Sequence, residues 1–370
     1  MTKRALWYDC GFSDPITRRE AEPTDAVSTV FWFEGPMHRI LNGDDYDGLY
    51  DEFHAHLEEL GYWFENVDGT SIHLYPNDTA HAEALKTYLH WKWVCSLINE
   101  DTGDVYEELY QEFSKNPLRL EQLSWREFET LLYRVFQNQG FEALIGPGRN
   151  DGGIDLRLIQ RAPLGDILTI VQAKRYASHR KIGQTDVAAL YGVGKVENAD
   201  RTLFVTSSSY APVSKRWAAR TGGYVELAEA ADVVNWCSRA AHGIIADKSS
   251  LVSLGSVEKI VREVSTRLDY RLVHASGGWN ITDNWFALVL KETKHAALLM
   301  KVPKEVLSHD GYGQRGTHVP KLDGSTLALF GADNVWRAKR SEENGRVTYW
   351  DGERLYSAWN GEPCHFDYCD

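Results

Sequence analysis

Cysteine is scarce in this chain. Cys10, Cys95, Cys237, Cys364 and Cys369 are scattered through 370 residues and odd in number, which argues against a disulfide framework. Long apolar runs are absent. None approaches the roughly 18 residues of a membrane-spanning helix, and Asp9 interrupts the apolar start before a secretory core can form. A cytoplasmic protein with no membrane partner is the expectation. Positive charge is also short, with 40 Lys+Arg against 53 Asp+Glu and a net charge of −13, which excludes a uniformly basic surface. His54, His56, His73, His81 and His90 match no tetrahedral zinc spacing with the cysteines, and Cys364-His365 with Cys369 would need a distant further ligand. What is abundant is core material: 43% apolar and 12% aromatic residues suit a well-packed protein of two or three domains.

The run Ile167-Leu168-Thr169-Ile170-Val171-Gln172-Ala173-Lys174 reads as a buried strand that ends in an amide and an ammonium. Polar groups on a core strand need a reason. Seventeen residues before Gln172 stands Asp155, at the end of Asp151-Gly152-Gly153-Ile154-Asp155. If Gly153 to Ile159 and Ile167 to Lys174 form an antiparallel hairpin about Ala162 to Gly165, then Asp155 faces Gln172, Arg157 faces Ile170, and Ile159 faces Leu168. Side chains alternate along a strand, so Gln172 and Lys174 share a face, and cross-strand Cβ atoms lie about 5 Å apart. A carboxylate, an amide oxygen and an ammonium then converge, with Asp151 left as a turn residue. Gly152 and Gly153 permit the tight backbone entry.

A further acid lies upstream. Ser124-Trp125-Arg126-Glu127 has the form of a capping box, followed by a helical stripe of Trp125, Phe128, Leu131, Leu132, Val135, Phe136 and Gln139 that Gly140 closes. Glu127 is accounted for by capping. At about 100° per residue, Glu129 falls on the border of the stripe, where a carboxylate can reach over the end of the sheet.

These elements, with Asn138-Gln139-Gly140-Phe141, Gln172 to Tyr176 and Thr206-Ser207-Ser208, resemble the Mrr-like branch of the PD-(D/E)XK restriction endonuclease superfamily over residues 120–239. The resemblance implies Asp155 as the central metal-binding aspartate, Gln172 in the usual acidic position, Lys174 as the lysine and Glu129 as the helix acid. Most of the superfamily carries Asp or Glu where this chain has Gln172; the Mrr-like branch commonly has Gln. Asp155, Glu129, the Gln172 oxygen and the Ala173 carbonyl form an oxygen set suited to Mg²⁺, with Mn²⁺ as a substitute. Such a metal polarises a phosphoryl oxygen and activates water, while Lys174 stabilises charge on the phosphate. Arg175, Tyr176, Arg180 and Lys181 suit phosphate contacts, although solvated charge explains them equally well.

The net charge divides unevenly. Residues 1–120 hold 9 Lys+Arg against 23 Asp+Glu, residues 121–240 hold 15 against 13, and residues 241–370 hold 16 against 17. The acidic excess is N-terminal, and the segment with the candidate site is the only net-basic one.

The expected fold class is α/β, a restriction-endonuclease-like mixed sheet flanked by helices at 119–241, between an acidic α+β module at 1–118 and a β-rich module at 250–370. Within the central segment the spacing predicts helices over 186–197, 212–221 and 228–240, and strands over 202–206 and 224–227. N-terminally it predicts a strand at Trp32-Phe33, helices over 44–61, 79–97 and 104–113, and a strand over 71–75. C-terminally it predicts a helix over 257–268, a hairpin over 285–302, and strands over 270–274, 326–330 and 347–350.

The leading expectation is a metal-dependent endonuclease acting on DNA, most plainly a duplex, in restriction or antiphage defence. Its flanking modules would choose the target or bind an activating ligand or protein partner. A homodimer follows from the resemblance. The alternatives are a catalytically silent nuclease fold used for DNA or protein binding, and a nuclease for repair, recombination or RNA.

Overall fold

The computed structural model describes residues 10–13, 15, 26–43, 48–99, 106–148, 152–161, 163, 165–278, 281–293, 295–343 and 345–369. Two compact units divide the chain, Met1–Ser96 and Leu97–Asp370.

The first unit carries an antiparallel four-stranded sheet in the order β1-β2-β4-β3, from β1 (Cys10–Ser13), β2 (Thr29–Phe33), β3 (Tyr62–Asp68) and β4 (Ser71–Pro76). Helices α1 (Gly35–Leu41) and α2 (Leu49–Glu59) supply its α component, and α3 (Thr79–Asn99) follows the last strand. Its core gathers Phe31, Phe33, Met37, Ile40, Ile72 and Leu74. Leu60, inside the helix expected over 44–61, lies exposed just past the end of α2.

In the second unit, α4 (Glu107–Lys115) and α5 (Trp125–Asn138) precede a five-stranded sheet in sequential order. Its strands are β5 (Glu142–Ile145), β6 (Leu156–Gln160), β7 (Ile167–Lys174), β8 (Arg201–Thr206) and β9 (Val225–Ala228). The pairs β5–β6 and β6–β7 are antiparallel, while β7–β8 and β8–β9 are parallel. The parallel steps require crossovers, provided by α6 (Gln184–Val196) and α7 (Pro212–Ala219), and α8 (Ala230–Ala246) closes the segment. Ile170, Phe204, Val187, Leu190 and Tyr210 form a core between helices and sheet. This is the mixed, helix-flanked sheet expected of a restriction-endonuclease-like fold.

After α9 (Leu254–Thr266), strands β10 (Leu272–Gly277), β11 (Asp283–Glu292) and β12 (Ala296–Val302) join β15 (Val335–Glu343), β16 (Arg346–Trp350) and β17 (Leu355–Ala358) in a closed barrel. Its interior alternates small and large residues, with Ala275, Ala287, Ala297 and Ala338 beside Leu299, Tyr349 and Tyr356. A three-stranded antiparallel sheet, β13 (Lys304–His309), β14 (Arg315–Pro320) and β18 (Cys364–Asp367), accompanies it. The expected strand over 326–330 is a short helix instead, α10 (Gly324–Ala328), because the Asp323 side chain accepts from the Ser325 amide and caps it. Among the described residues no helix is long and apolar enough to cross a membrane.

Candidate active site

The hairpin register follows from the alternation of its residues. Leu156 pairs with Val171, Arg157 with Ile170, Leu158 with Thr169 and Ile159 with Leu168. The ladder starts one residue later than the sequence suggested. Asp155 lies just before β6, and its amide donates to the Val171 carbonyl at 2.9 Å rather than pairing with Gln172. The side chain compensates for this offset: Asp155 Oδ2 accepts from the Ala173 amide at 2.6 Å, tying the carboxylate to the end of β7. Asp155 is only 8% exposed. This bond fixes the carboxylate at the end of β7.

On β7, Ala173 is buried while Gln172 and Lys174 on the opposite face remain partly accessible, as a strand period of two requires. Gly153 has a φ of +85°, and a Cβ there would lie 2.9 Å from Gln172 Nε2. Glycine at this turn therefore allows both the left-handed backbone and the seat of the Gln172 amide. Asp151 lies outside the described residues.

The strand end is pinned from the next strand. Lys174 pairs with Thr206 across the parallel ladder, and the Thr206 hydroxyl donates to the Lys174 carbonyl at 2.8 Å. Ser207 Oγ accepts from the Tyr176 amide at 2.9 Å and donates to the Tyr176 carbonyl at 2.8 Å. Ser208 Oγ donates to the Arg180 carbonyl at 2.5 Å. Thr206-Ser207-Ser208 thus fixes the segment that runs from Lys174 to Arg180. Along it, the Arg180 guanidinium lies 3.7 Å from the Tyr176 ring centroid, and Arg180 and Lys181 are exposed. Arg175 turns inward instead, donating through Nη1 to the Glu121 carbonyl at 3.1 Å.

The capping box forms as written in the sequence. Glu127 N–H donates to Ser124 Oγ at 3.2 Å, and Ser124 N–H donates to Glu127 Oε2 at 2.7 Å. The stripe is rotated from expectation: Trp125 and Gln139 are exposed, while Glu129 is buried at 4% exposure rather than bordering the core. Its charge is met by Arg126, one helical turn earlier, with Nη1 at 3.0 Å from Glu129 Oε2. The same Nη1 donates to the Gly146 carbonyl at 2.9 Å, and the Gly146 amide donates to the Asp155 carbonyl at 2.8 Å. Arg126 and Gly146 therefore link the helix acid to the strand aspartate. A Cβ at Gly146 would lie 2.7 Å from the Ile154 carbonyl, so this approach needs glycine. The sequence reading passed over Arg126, although its i,i+3 spacing to Glu129 was the available signal.

The donor set suits a hard cation: two nearly buried carboxylates, with neutral oxygens from the Gln172 amide and Ala173 carbonyl. Among the described residues no three His, Cys, Asp or Glu side chains gather as a metal centre. Such an ion would depend on the neutral oxygens and water for its remaining ligands.

Comparison with known proteins bears on the same segment. Residues 120–237 match the family model Mrr_cat, described as restriction endonuclease. The match falls on the same segment, 120–239, whose residues resemble the Mrr-like branch. The uncharacterized protein y4cE of Sinorhizobium fredii (strain NBRC 101917 / NGR234) is 30% identical over 109 residues, 29% of this chain and 27% of that protein. The match thus spans little more than a quarter of this curated relative.

Among solved structures, the MspJI restriction endonuclease in complex with a 27-mer oligonucleotide is 16% identical with a TM-score of 0.26, over 37% of this chain and 34% of that one. The DNA modification-dependent restriction endonuclease AspBHI is 13% identical with a TM-score of 0.26, over 50% and 60%. FokI bound to DNA is 14% identical with a TM-score of 0.27, over 57% and 44%. Likenesses this distant carry no weight for substrate or mechanism.

Proposed function

We propose that the Mrr-type domain is an endonuclease that hydrolyses phosphodiester bonds of DNA with Mg²⁺, and that the chain acts in restriction or antiphage defence. The observation that carries this reading is the tether of a nearly buried Asp155 carboxylate to the Ala173 amide, between Gln172 and Lys174. The family match of residues 120–237 supports it.

In this reading Asp155, Glu129, the Gln172 oxygen and the Ala173 carbonyl hold the cation. When bound, the metal lowers the pKa of a coordinated water and polarises the phosphoryl group. Asp155 is oriented by the Ala173 amide, and Arg126 holds the Glu129 carboxylate in place. Lys174 places its ammonium against the negative charge that builds on the phosphate as water attacks in line. Arg180, stacked on Tyr176, and Lys181 contact the neighbouring backbone phosphates, which supplies affinity without base specificity. The flanking modules select the target or gate the reaction, and two copies cooperate to cut both strands.

The test incubates the full chain with plasmid DNA, modified DNA and RNA, each with Mg²⁺, Mn²⁺ or chelator. Cleavage of DNA that needs the metal and disappears in Asp155→Ala and Lys174→Ala is expected. Wild-type cutting by either variant removes the site assignment; DNA binding without cutting by the wild type favours a silent nuclease fold, and cutting confined to RNA changes the substrate.

A further inference from the structure

At one mouth of the barrel a cavity of about 740 Å³ opens among Trp285, Trp336 and Tyr356. These three side chains stand within the first three residues of β11, β15 and β17. Since β12 and β16 run antiparallel between those strands, the three starts share one end of the barrel. Alternation fixes their direction: Trp285 is two residues before interior Ala287, Trp336 two before interior Ala338, and Tyr356 belongs to the interior core itself. Two indoles and a phenol thus wall a mouth whose neighbouring interior positions are small, with Ala275 directly across from Trp285.

The charges at this mouth are largely matched already. Arg337 bonds Glu108 at 2.7 Å, Lys304 bonds Asp283, and Arg354, whose guanidinium lies 4.4 Å from the Trp285 ring centroid, bonds Glu353 at 3.0 Å. What is left over is a neutral donor. The Trp336 indole N–H is buried and has no hydrogen-bond partner among the described residues. Burying a donor unpaired is unfavourable, and an acceptor on a ligand would relieve it.

We infer that this barrel mouth binds a nucleobase, whose ring faces cover the aromatic wall and whose carbonyl or ring nitrogen accepts from the Trp336 N–H. The volume is that of an ordinary small-molecule site, and the mouths of β-barrels are a recurrent place for one. Every base has a face that stacks on aromatic side chains. Other ligands fit the wall less well. A quaternary ammonium or an aliphatic chain brings no acceptor for the indole, an anion finds Arg337, Lys304 and Arg354 already paired, and a sugar's hydroxyls need more partners than one N–H. The base belongs either to a free nucleoside or to an unpaired position in a strand. That a strand held here is the one being cut rests on the nuclease reading, whereas the binding itself does not.

The experiment is calorimetric titration of the full chain, in chelator, with adenosine, guanosine, cytidine, thymidine, an unphosphorylated single-stranded DNA oligonucleotide and pyrophosphate. A nucleoside or the oligonucleotide binds the wild type and Asp155→Ala alike, and pyrophosphate does not displace it. Trp336→Phe keeps a ring and removes the N–H; it weakens binding about fivefold, the effect of one neutral hydrogen bond, while the thermal midpoint stays near that of wild type. Trp285→Leu weakens binding about tenfold, as loss of one stacking face does. Preference for a nucleoside identifies a free ligand; preference for the oligonucleotide identifies an unpaired base of a strand. Unchanged affinity in either ring variant, loss of binding in Asp155→Ala, displacement by pyrophosphate, or no binding by any nucleoside or the oligonucleotide overturns the proposal. Loss of nuclease activity with binding intact would count against the nuclease reading alone.

Discussion

The five-stranded sheet and the six-stranded barrel bury polar groups for opposite ends. In and beside the barrel several of these groups meet as mutual partners. Asn284, 1% exposed, accepts through Oδ1 from His274 Nε2 at 2.8 Å and donates through Nδ2 to the His365 carbonyl at 2.8 Å. Asp283 takes Lys304 and the Tyr368 hydroxyl, and burial is outweighed by these bonds so that its carboxyl titrates below the ordinary range. Tyr349 donates to Glu292 at 2.7 Å inside the same barrel, and burial pushes its phenol up. Satisfied networks of this kind specify and stabilise a core. In the sheet, by contrast, polar side chains collect at one end of β6 and β7, where the Asp155 carboxylate accepts from the Ala173 amide beside the partly accessible Gln172 and Lys174. On the proposed reading, polar burial there serves a metal and a phosphate.

Substitutions can break this contrast. The largest effect is expected at Asp155 and Lys174: replacement by Ala lowers DNA cleavage by about a hundredfold or more, the scale of removing one preorganised electrostatic group, while the thermal midpoint stays near that of wild type. A large loss of midpoint without loss of cleavage would make these residues structural. In the barrel the order reverses. Asn284→Ala strands His274 and the His365 carbonyl, costs about 2 kcal/mol in denaturant unfolding, and leaves the folded protein's cleavage of DNA intact.

The hairpin was legible before the fold was known because β-branched alternation and a central turn admit one register, and the observed pairing from Leu156–Val171 to Ile159–Leu168 keeps it. The capping box was legible for the same local reason. What escaped was set by contacts distant in sequence. Arg126 meets Gly146 across twenty residues, and the pull of that contact buries Glu129 where helical periodicity alone left it at the border. Barrel closure depends on β10 pairing with β17, as in Val273 with Ala358, which no short pattern announces. The error at Thr326 came from reading β-branched and apolar residues without weighing Asp323 as a helix cap.

Two smaller effects sharpen the comparison. Burial pushes His274 down from 6.5, against its Asn284 bond, and burial together with Lys304 pushes His318 down against Asp283. A histidine with a depressed native pKa binds protons more readily when unfolded, so its stabilising contribution is complete above about pH 6.5 and is lost as pH falls through the folded values. Melting followed by tryptophan fluorescence from about pH 7.5 to about 5.5 should therefore lower the midpoint of the barrel and its accompanying sheet; an unchanged midpoint would remove the histidines from their stability. The smallest change is local: Ser124→Ala costs about 1 kcal/mol by removing the α5 cap, measurable in denaturant, with Glu129 and its ion pair kept in place.

The three-stranded sheet, unlike the barrel, has an open edge at β13. On its outer strand β13, Val306 is 51% and Leu307 60% exposed, and the pairing with β14 slips between Val306 and Ser308. An apolar strand with free main-chain donors invites a neighbouring molecule to add its own strand, and an irregular edge flanked by charges such as Lys304 and Glu305 denies it a continuous template. Deleting that irregularity would convert a quiet surface into a seed for aggregation, which gives the bulge a colloidal role independent of any chemistry.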